Sequence, residues 1–393
     1  MSETRVVSPT APTSVTNNDA LAAGTLEEVD LEAMLGTGTA MWAVVFAGGI
    51  GTRFWPLSTP RRPKQVLALV NERPLIADTV ARLAPLVPAE RVLVVTSADI
   101  ADALHEAIPE VPRSNLLIEP RPLGTAAALA WGAQEVSRRA GPDTVFVALH
   151  ADLAVGYPEV LRDSLRRAAA IAAADSALVA LGARPTRAET GFGYLQPGMP
   201  LDPLQSRAEG GACRVEHFVE KPGAALADVL IERGALWNTG IFVWRARVVL
   251  DELDRHTAEV RHGLPQLAAG AMEQFAELVS SVSIDRGLLE RSPNVVVLPA
   301  DMEWDDVGTW ASLRRVRELD DTGNGVMGQV HCVDCSGNVI HADGCCVVAY
   351  GISGMIVVSI DGLTFVTTQD RATELGPLLN ALPGSLRFNP GRH

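Results

Sequence analysis

Four cations, Arg53, Arg61, Arg62 and Lys64, follow three glycines, Gly48, Gly49 and Gly51, and no acidic residue lies between Ala47 and Val70. The rest of the chain is acidic: 47 Asp and Glu against 33 Lys and Arg leave a formal charge of −14. A basic cluster in an acidic chain suits a small polyanion, most simply a nucleoside triphosphate. The glycines suit the same ligand. They let the backbone turn tightly, and successive N–H groups aimed one way form a nest for anions. The usual glycine-rich phosphate motifs are excluded. A P-loop needs Lys and then Ser or Thr after its last glycine, where this chain has Thr52-Arg53. A dinucleotide fingerprint opens a helix straight after its glycines, and Pro56, Pro60 and Pro63 forbid that helix. The apolar run 42–46 reads as a buried strand that feeds a long, basic, proline-stiffened loop.

Gly48-Gly49-x-Gly51-Thr52-Arg53, then Trp55-Pro56-Leu57-Ser58 and Pro63-Lys64-Gln65, resembles the signature of the sugar-phosphate nucleotidylyltransferases, and within them the mannose-1-phosphate guanylyltransferases. Phe218-Val219-Glu220-Lys221-Pro222 and Trp304-x-Asp306-Val307-Gly308-x-Trp310 are similar to later motifs of the same family. The resemblance implies nucleotidyl transfer from GTP to mannose 1-phosphate, with Mg²⁺. It implies that Ala47, Gly48, Gly49, Gly51 and Thr52, with Glu119, Gly124 and Thr125, bind the nucleotide. Arg53 and Lys64 would neutralise the leaving pyrophosphate. Gly193, Glu220, Lys221 and Asn238 would hold the sugar phosphate, and Asp152 and Asp306 would clamp the metal ion.

Residue chemistry supports several of these roles. Asp152 follows an expected strand end, where a carboxylate suits Mg²⁺, a hard ion that prefers oxygen and keeps several waters. Asp306 comes from a distant part of the chain, as a clamp from two sides requires. Glu220 can accept from sugar hydroxyls, and Lys221 can meet a phosphate. The amide of Asn238 both donates and accepts. Glu119 at a strand end can accept from the N1–H and N2–H₂ edge of guanine, which adenine and uracil lack. Thr125 is expected to cap a helix whose N-terminus favours negative charge. The chain departs from the family pattern at Gly124, where Asn is frequent, and at His150 and Leu153, where Pro and His are usual.

Elements must position these groups. Runs 91–96, 115–118, 144–149 and 177–181 read as short buried strands, and 75–86, 125–139 and 159–174 as helices between them. The alternation predicts an α/β, Rossmann-like fold, a mixed and mostly parallel sheet with helices on both faces. Ligands then gather at the carboxyl ends of the strands. Residues 1–40 read as a variable extension rich in Ser, Thr and Pro, with a short acidic helix over 25–35. Residues 41–322 are expected to form the catalytic domain. Residues 323–393 read as a small all-β module ending in a helix over 371–382, and the resemblance implies a few coils of left-handed β-helix. It also implies a chain without the isomerase half that bifunctional relatives append.

An apolar content of 47% suffices for a large core, and no apolar run reaches membrane-span length. Net acidity argues against nucleic acid. Five cysteines do not suggest a disulfide scaffold, and Cys332, Cys335, Cys345 and Cys346 read as core residues rather than zinc ligands. The expected protein is soluble and cytoplasmic, a homo-oligomer, most simply a dimer. Two other readings stay open: glucose 1-phosphate with UTP or dTTP on the same fold, and a non-catalytic paralogue that binds a nucleotide sugar.

Overall fold

The computed structural model describes residues 41–49, 51–60, 62–201, 211–360 and 362–388, so the expected helix over 25–35 and Arg61 lie outside the described residues. The chain opens with β1 (Trp42–Phe46) and the basic loop. Then come α1 (Leu75–Leu83), β2 (Val92–Ser97), α2 (Ala98–Ala107), β3 (Leu116–Glu119), α3 (Thr125–Ala140), β4 (Val145–His150), β5 (Leu153–Val155), α4 (Pro158–Asp175) and β6 (Leu178–Ala183). β7 (Gly193–Pro200), β8 (Cys213–Glu220), α5 (Ala224–Glu232), β9 (Leu236–Arg245), α6 (Ala246–His256), β10 (Val295–Pro299) and β11 (Trp304–Asp306) follow.

Nine strands form one sheet in the order β3-β2-β1-β4-β9-β6-β10-β8-β7. The β3-β2-β1-β4 block is parallel throughout, and β6 is parallel to β10. β9 runs against β4 and β6, and β8 against β10 and β7. The sheet is therefore mixed, and half of its neighbouring pairs are antiparallel. Both faces are buried, as the apolar strands require. Val45, Val94, Val147 and Val179 pack under α1, α2 and α4. Val44, Leu93, Phe146 and Phe242 pack under α3 and α6. α3 lies so close that a Cβ on Gly132 would come 2.5 Å from Val44 Cγ1.

β12 (Gly325–Val333), β13 (Val339–Tyr350), β14 (Met355–Ile360) and β15 (Leu363–Thr368) make a second sheet in that order. The first three are parallel, but β15 returns antiparallel, with Ile360 opposite Leu363. So short a connection allows only a hairpin. The module is a small mixed sheet, and the expectation of left-handed β-helix coils does not hold. The expected helix over 371–382 is also broken, into a 3-10 turn Arg371–Thr373 and a helix Gly376–Ala381, and a separate short helix Gly384–Phe388 follows. Pro377 sits in the first turn of Gly376–Ala381 and Pro383 precedes Gly384–Phe388, where a continuous helix would lose backbone bonds. Of the cysteines, Cys335 is buried, but Cys346 is exposed on β13 and not in the core.

A third core joins this sheet to the basic loop. Phe54, Trp55, Leu57 and Leu69 pack with Trp310, Val339, Ile356, Phe365 and Leu379. Arg317 crosses the same junction. Its guanidinium donates to Leu69 O (2.7 Å), Gly325 O (3.3 Å) and Ile340 O (3.4 Å). It also reaches His341 Nδ1 at 3.0 Å. Because Arg only donates, that nitrogen accepts and the proton sits on Nε2. Burial, with Arg317 alongside, holds the His341 pKa at about 3. The unfolded histidine titrates near 6.5, so below that pH the unfolded chain gains a proton that the folded chain refuses. Stability is lost as pH falls from 6.5 towards 3. Between pH 7 and pH 5 this group alone is expected to remove about 2 kcal/mol. Urea midpoints at both pH values, compared with His341→Asn, check this: the wild type must lose more than the variant.

Candidate active site

The basic loop is shaped by its own polar contacts. Gly49 and Gly51 take φ of 91° and 68°, the left-handed region that favours glycine. Gln65 Nε2 donates to Gly48 O (2.7 Å) and Gly49 O (3.3 Å), and Ser58 Oγ donates to Gly51 O (2.6 Å). The glycine carbonyls are thus engaged from within the loop. A Cβ on Gly51 would lie 2.8 Å from Lys64 Cβ, so this glycine gives Lys64 its place. Two short 3-10 turns, Thr52–Phe54 and Lys64–Val66, stand where a longer helix is forbidden.

Lys64 reaches across to the carboxylates. Its Nζ lies 2.5 Å from Asp152 Oδ2 and donates to Val307 O at 3.1 Å. The two side chains are only 15% and 16% exposed, so the pair is shielded from water. Asp152 follows β4, and β5 pairs with β11 so that Asp306 stands opposite Leu153, the next residue. Two carboxylates from distant parts of the chain therefore flank one ammonium. Burial lowers the Lys64 pKa, but Asp152 and then Asp306 outweigh it and the net shift is upward. Burial raises Asp152, but Lys64 and His150 outweigh it and hold that carboxyl below its usual range. Asp306 stays raised, because burial and the Asp152 charge exceed what Lys64 supplies. Neighbouring carboxylates part in this way when one cation serves both.

The pair fits a magnesium ion. Mg²⁺ binds through one or two carboxylates and completes its shell with water and substrate phosphate, so an all-protein cage is not needed. The fold already sets a positive charge against both groups. Among the described residues no group of three or more His, Cys, Asp or Glu could hold a metal.

A cleft of about 230 Å³ opens beside the carboxylates, lined among others by Asp152, Asp306, Gly193, Glu220, Asn238 and Asp285. Strand directions explain the convergence. β9 runs against β4 and β6, so its start lies at their carboxyl ends, with Asn238 opposite Gly182. β7 starts at the same edge, and Gly193 pairs with Glu220 at the end of β8. A Cβ on Gly193 would come 2.8 Å from Glu220 Oε2, so only glycine leaves that carboxylate its room. Lys221 Nζ lies 2.7 Å from Glu220 Oε1 and is 58% exposed, free to turn to a ligand. Its backbone sits at φ 49°, strained for a lysine, and its N–H donates to Phe192 O. Behind the cleft the rings of Phe192, Trp237 and Trp304 pack edge to face, and Arg187 lies 4.9 Å from the Trp237 ring centroid. A larger cavity of about 700 Å³ lies across the β5–β11 ribbon, where Arg315 is already paired in bidentate fashion with Asp305.

The residues singled out in the sequence fall into two groups. Gly48, Gly51, Lys64, Asp152, Asp306, Gly193, Glu220, Lys221 and Asn238 converge on one edge, through the contacts just described, and Arg53 is close enough for its charge to act on Lys64. Ala47 and Thr52 flank the glycines, and Ala47 O accepts from Thr96 Oγ1. Glu119, Gly124 and Thr125 lie at the end of β3, two strands from β1. Glu119 accepts weakly from Leu123 N–H at 3.4 Å, and burial raises its carboxyl. Thr125 is not the helix cap: Gly124 is, without a side-chain bond. Thr125 Oγ1 instead accepts from Ile284 N–H (2.9 Å), and Ala126 N–H donates to Val282 O. The first turn of α3 is thus partly spent on the 282–284 segment. The same segment explains Gly124, since a Cβ there would meet Ser281 Oγ and Val282 O, each at 2.7 Å. Gln65 and Asp285 carry contacts that no spacing announced. Gln65 is legible only as part of Pro63-Lys64-Gln65, and Asp285 only as part of Ser283-Ile284-Asp285.

The nucleotidyl transferase pattern matches residues 42–322. The chain belongs to that family. Its relatives within it are sugar-1-phosphate nucleotidyltransferases, which join a nucleoside triphosphate and a sugar 1-phosphate to give a nucleotide sugar and pyrophosphate. A mannose-1-phosphate guanylyltransferase of Sinorhizobium fredii is 31% identical over 351 residues, 86% of this chain and 67% of that protein. Xanthan biosynthesis protein XanB of Xanthomonas campestris is 33% identical over 369 residues, 89% of this chain and 75% of that one. The crystal structure of a mannose-1-phosphate geranyltransferase from Thermus thermophilus superposes with a TM-score of 0.79 at 35% identity, covering 86% of this chain and 98% of that one. No helix of this nucleotidyl transferase, among the described residues, is long and apolar enough to cross a membrane.

Lys64→Met should leave Asp152 and Asp306 facing one another without their cation. Removing one partner of a buried pair costs about 3 kcal/mol. Melting curves at neutral pH should show the loss, and millimolar Mg²⁺ should restore part of it in the variant. A melting point that ignores both Mg²⁺ and EDTA counts against the carboxylate pair as a metal site.

Proposed function

We propose that this nucleotidyl transferase moves a guanylyl group from GTP to α-D-mannose 1-phosphate, giving GDP-mannose and pyrophosphate. The observation that carries the reading is the shared cleft: the Lys64–Asp152–Asp306 cluster lies beside Glu220, Lys221, Asn238 and Gly193. The guanylyltransferase among its relatives supports the choice of nucleotide and sugar.

The sugar phosphate oxygen attacks the α-phosphorus of GTP in line, and pyrophosphate leaves. The attacking group is already anionic, so no strong base is required. The obstacle is repulsion between two anions, and catalysis is positioning with charge neutralisation. The glycine loop from Gly48 to Arg53 receives the triphosphate. Arg53 and Lys64 face the charge that grows on the leaving pyrophosphate. Lys221 leaves Glu220 for the sugar phosphate, which frees Glu220 Oε1 to accept a hydroxyl hydrogen. Asp152 and Asp306 would hold Mg²⁺, which when bound would supply further neutralisation of phosphate charge. Lys64, paired with Asp152 at rest, is the cation that turns to the phosphate. Glu119, at the end of β3, reads the N1–H and N2–H₂ edge of guanine. Residues 41–322 act as the catalytic domain, residues 323–393 as its β module, and the working form is a cytoplasmic homodimer.

Pyrophosphate release across four nucleoside triphosphates and several sugar 1-phosphates tests the pair, and GTP with mannose 1-phosphate should be the best. Faster turnover with glucose 1-phosphate and UTP or dTTP would replace it. Asp306→Ala should lower kcat by at least about a hundredfold, and near-normal turnover removes its role. Glu119→Gln should erode the preference for GTP over ATP, and an unchanged preference moves base reading elsewhere.

A further inference from the structure

Asp285 has no part in the scheme above, yet it lines the sugar end of the cleft with Glu220 and Asn238. It opens a five-residue π-type turn, Asp285–Leu289, a rare backbone form often met at functional sites. Two hydroxyls fix that turn. Thr125 Oγ1 accepts from Ile284 N–H at 2.9 Å, and Thr257 Oγ1 donates to Gly287 O at 2.7 Å. The position of the carboxylate is therefore set by the fold on both sides.

Its partners point to a ligand. Asn238 Nδ2 donates to Asp285 Oδ1 at 2.8 Å, and Asn238 Oδ1 accepts from Gly240 N–H at 3.3 Å. The amide is held at both ends, with one N–H left over. A carboxylate offers about four acceptor positions, so Asp285 keeps capacity after serving Asn238. Glu220 is the other acceptor at this end, and its side chain is only 9% exposed. Burial, and then the Glu220 charge, push the Asp285 carboxyl upward, offset in part by His150 and Lys221. Two carboxylates enclosed together are unfavourable until donors reach them. Neighbouring hydroxyls on a sugar ring are such donors, and each can also accept from the spare N–H of Asn238.

We infer that Asp285 is a specificity-determining residue that accepts one ring hydroxyl beside the hydroxyl accepted by Glu220, and that it orients the Asn238 amide for the same ring. The inference rests on the cleft binding a sugar 1-phosphate, but not on that sugar being mannose. A site built to bond a hydroxyl rejects the analogue that lacks it.

The test is a cycle between residue and hydroxyl. Wild type is first given the sugar 1-phosphate panel, and the best substrate is then compared with its 2-deoxy, 3-deoxy and 4-deoxy analogues. In the wild type at least one analogue should lose about tenfold or more in kcat/KM. In Asp285→Ala that penalty should shrink to about twofold or less, while the KM for the nucleoside triphosphate stays within about twofold. A variant that only loosens the fold lowers substrate and analogues alike, so every deoxy penalty surviving intact overturns the assignment. If Asp285→Ala does not fold, Asp285→Leu, of similar size but with no acceptor, goes through the same cycle with the same expected direction. A preference for another sugar overturns the mannose reading while the cycle still judges Asp285. A wild type that uses no sugar 1-phosphate overturns both.

Discussion

Like charges must be held together in this molecule, and one lysine makes that bearable. Asp152 and Asp306 stand side by side at the edge of the sheet, and Lys64 lies against the first at 2.5 Å. Without the ammonium the two carboxylates would repel in a site that water scarcely reaches. With it, one ammonium balances part of the charge on both carboxylates. Much of the surrounding structure serves this placement. Gly51 clears the path of the lysine stem, Gln65 holds the glycine carbonyls from behind, and the β5–β11 ribbon carries Asp306 to the side of Asp152.

The mixed sheet follows from the same need. A purely parallel sheet would bring only strand ends to its ligand edge. Here β9 and β7 begin there, with Asn238 and Gly193 among their first residues, and β8 ends there with Glu220. Polar side chains on extended backbone meet the side chains of loops after β1 and β4. The antiparallel strands thus bring Asn238, Gly193 and Glu220 to one side of the cleft, and the parallel block carries the glycine loop. The two halves meet at Asp152, whose neighbour His150 packs against both Phe46 and Gly240.

How much of this could be read from the residues depends on how local the cause was. β1 to β4 and β6, with α1, α3 and α4, were legible because each strand is apolar and short and each helix is bounded by Pro, Gly or a polar turn, whereas α2 and the three-residue β5 were not. The charged loop was legible because glycine, proline and cation spacing are local properties. The direction of β8 and β9 was not, since pairing sense depends on contacts far along the chain. Thr125 shows the same limit. It reads as a cap, but the cap is Gly124, and the segment near 282–284, more than 150 residues later, donates to the Thr125 hydroxyl and fills the space beside Gly124. Asp285 was visible as a residue and silent as a role, because its meaning lies in Asn238 and Glu220 across the cleft. The break inside the expected 371–382 helix falls just before Gly376-Pro377, a local signal masked by the apolar pattern that follows it.

The small β-sheet is better understood as a buttress than as an appendage. The basic loop has little regular structure, and alone it would be ordered at a high entropic cost. Phe54, Trp55 and Leu57 bury themselves against Phe365, Ile356 and Leu379, and Trp310 Nε1 donates to Trp55 O at 2.9 Å. Arg317 stitches Leu69, at the far end of the loop, to Gly325 and Ile340 of the sheet. A buried guanidinium is expensive, and this one has carbonyls rather than a carboxylate around it, so burial lowers its pKa to about 9. Such a group persists where its several donors hold separate segments in one arrangement. The described part of the basic loop is therefore held by this shared core rather than by regular structure of its own, so little of its ordering is left to a ligand.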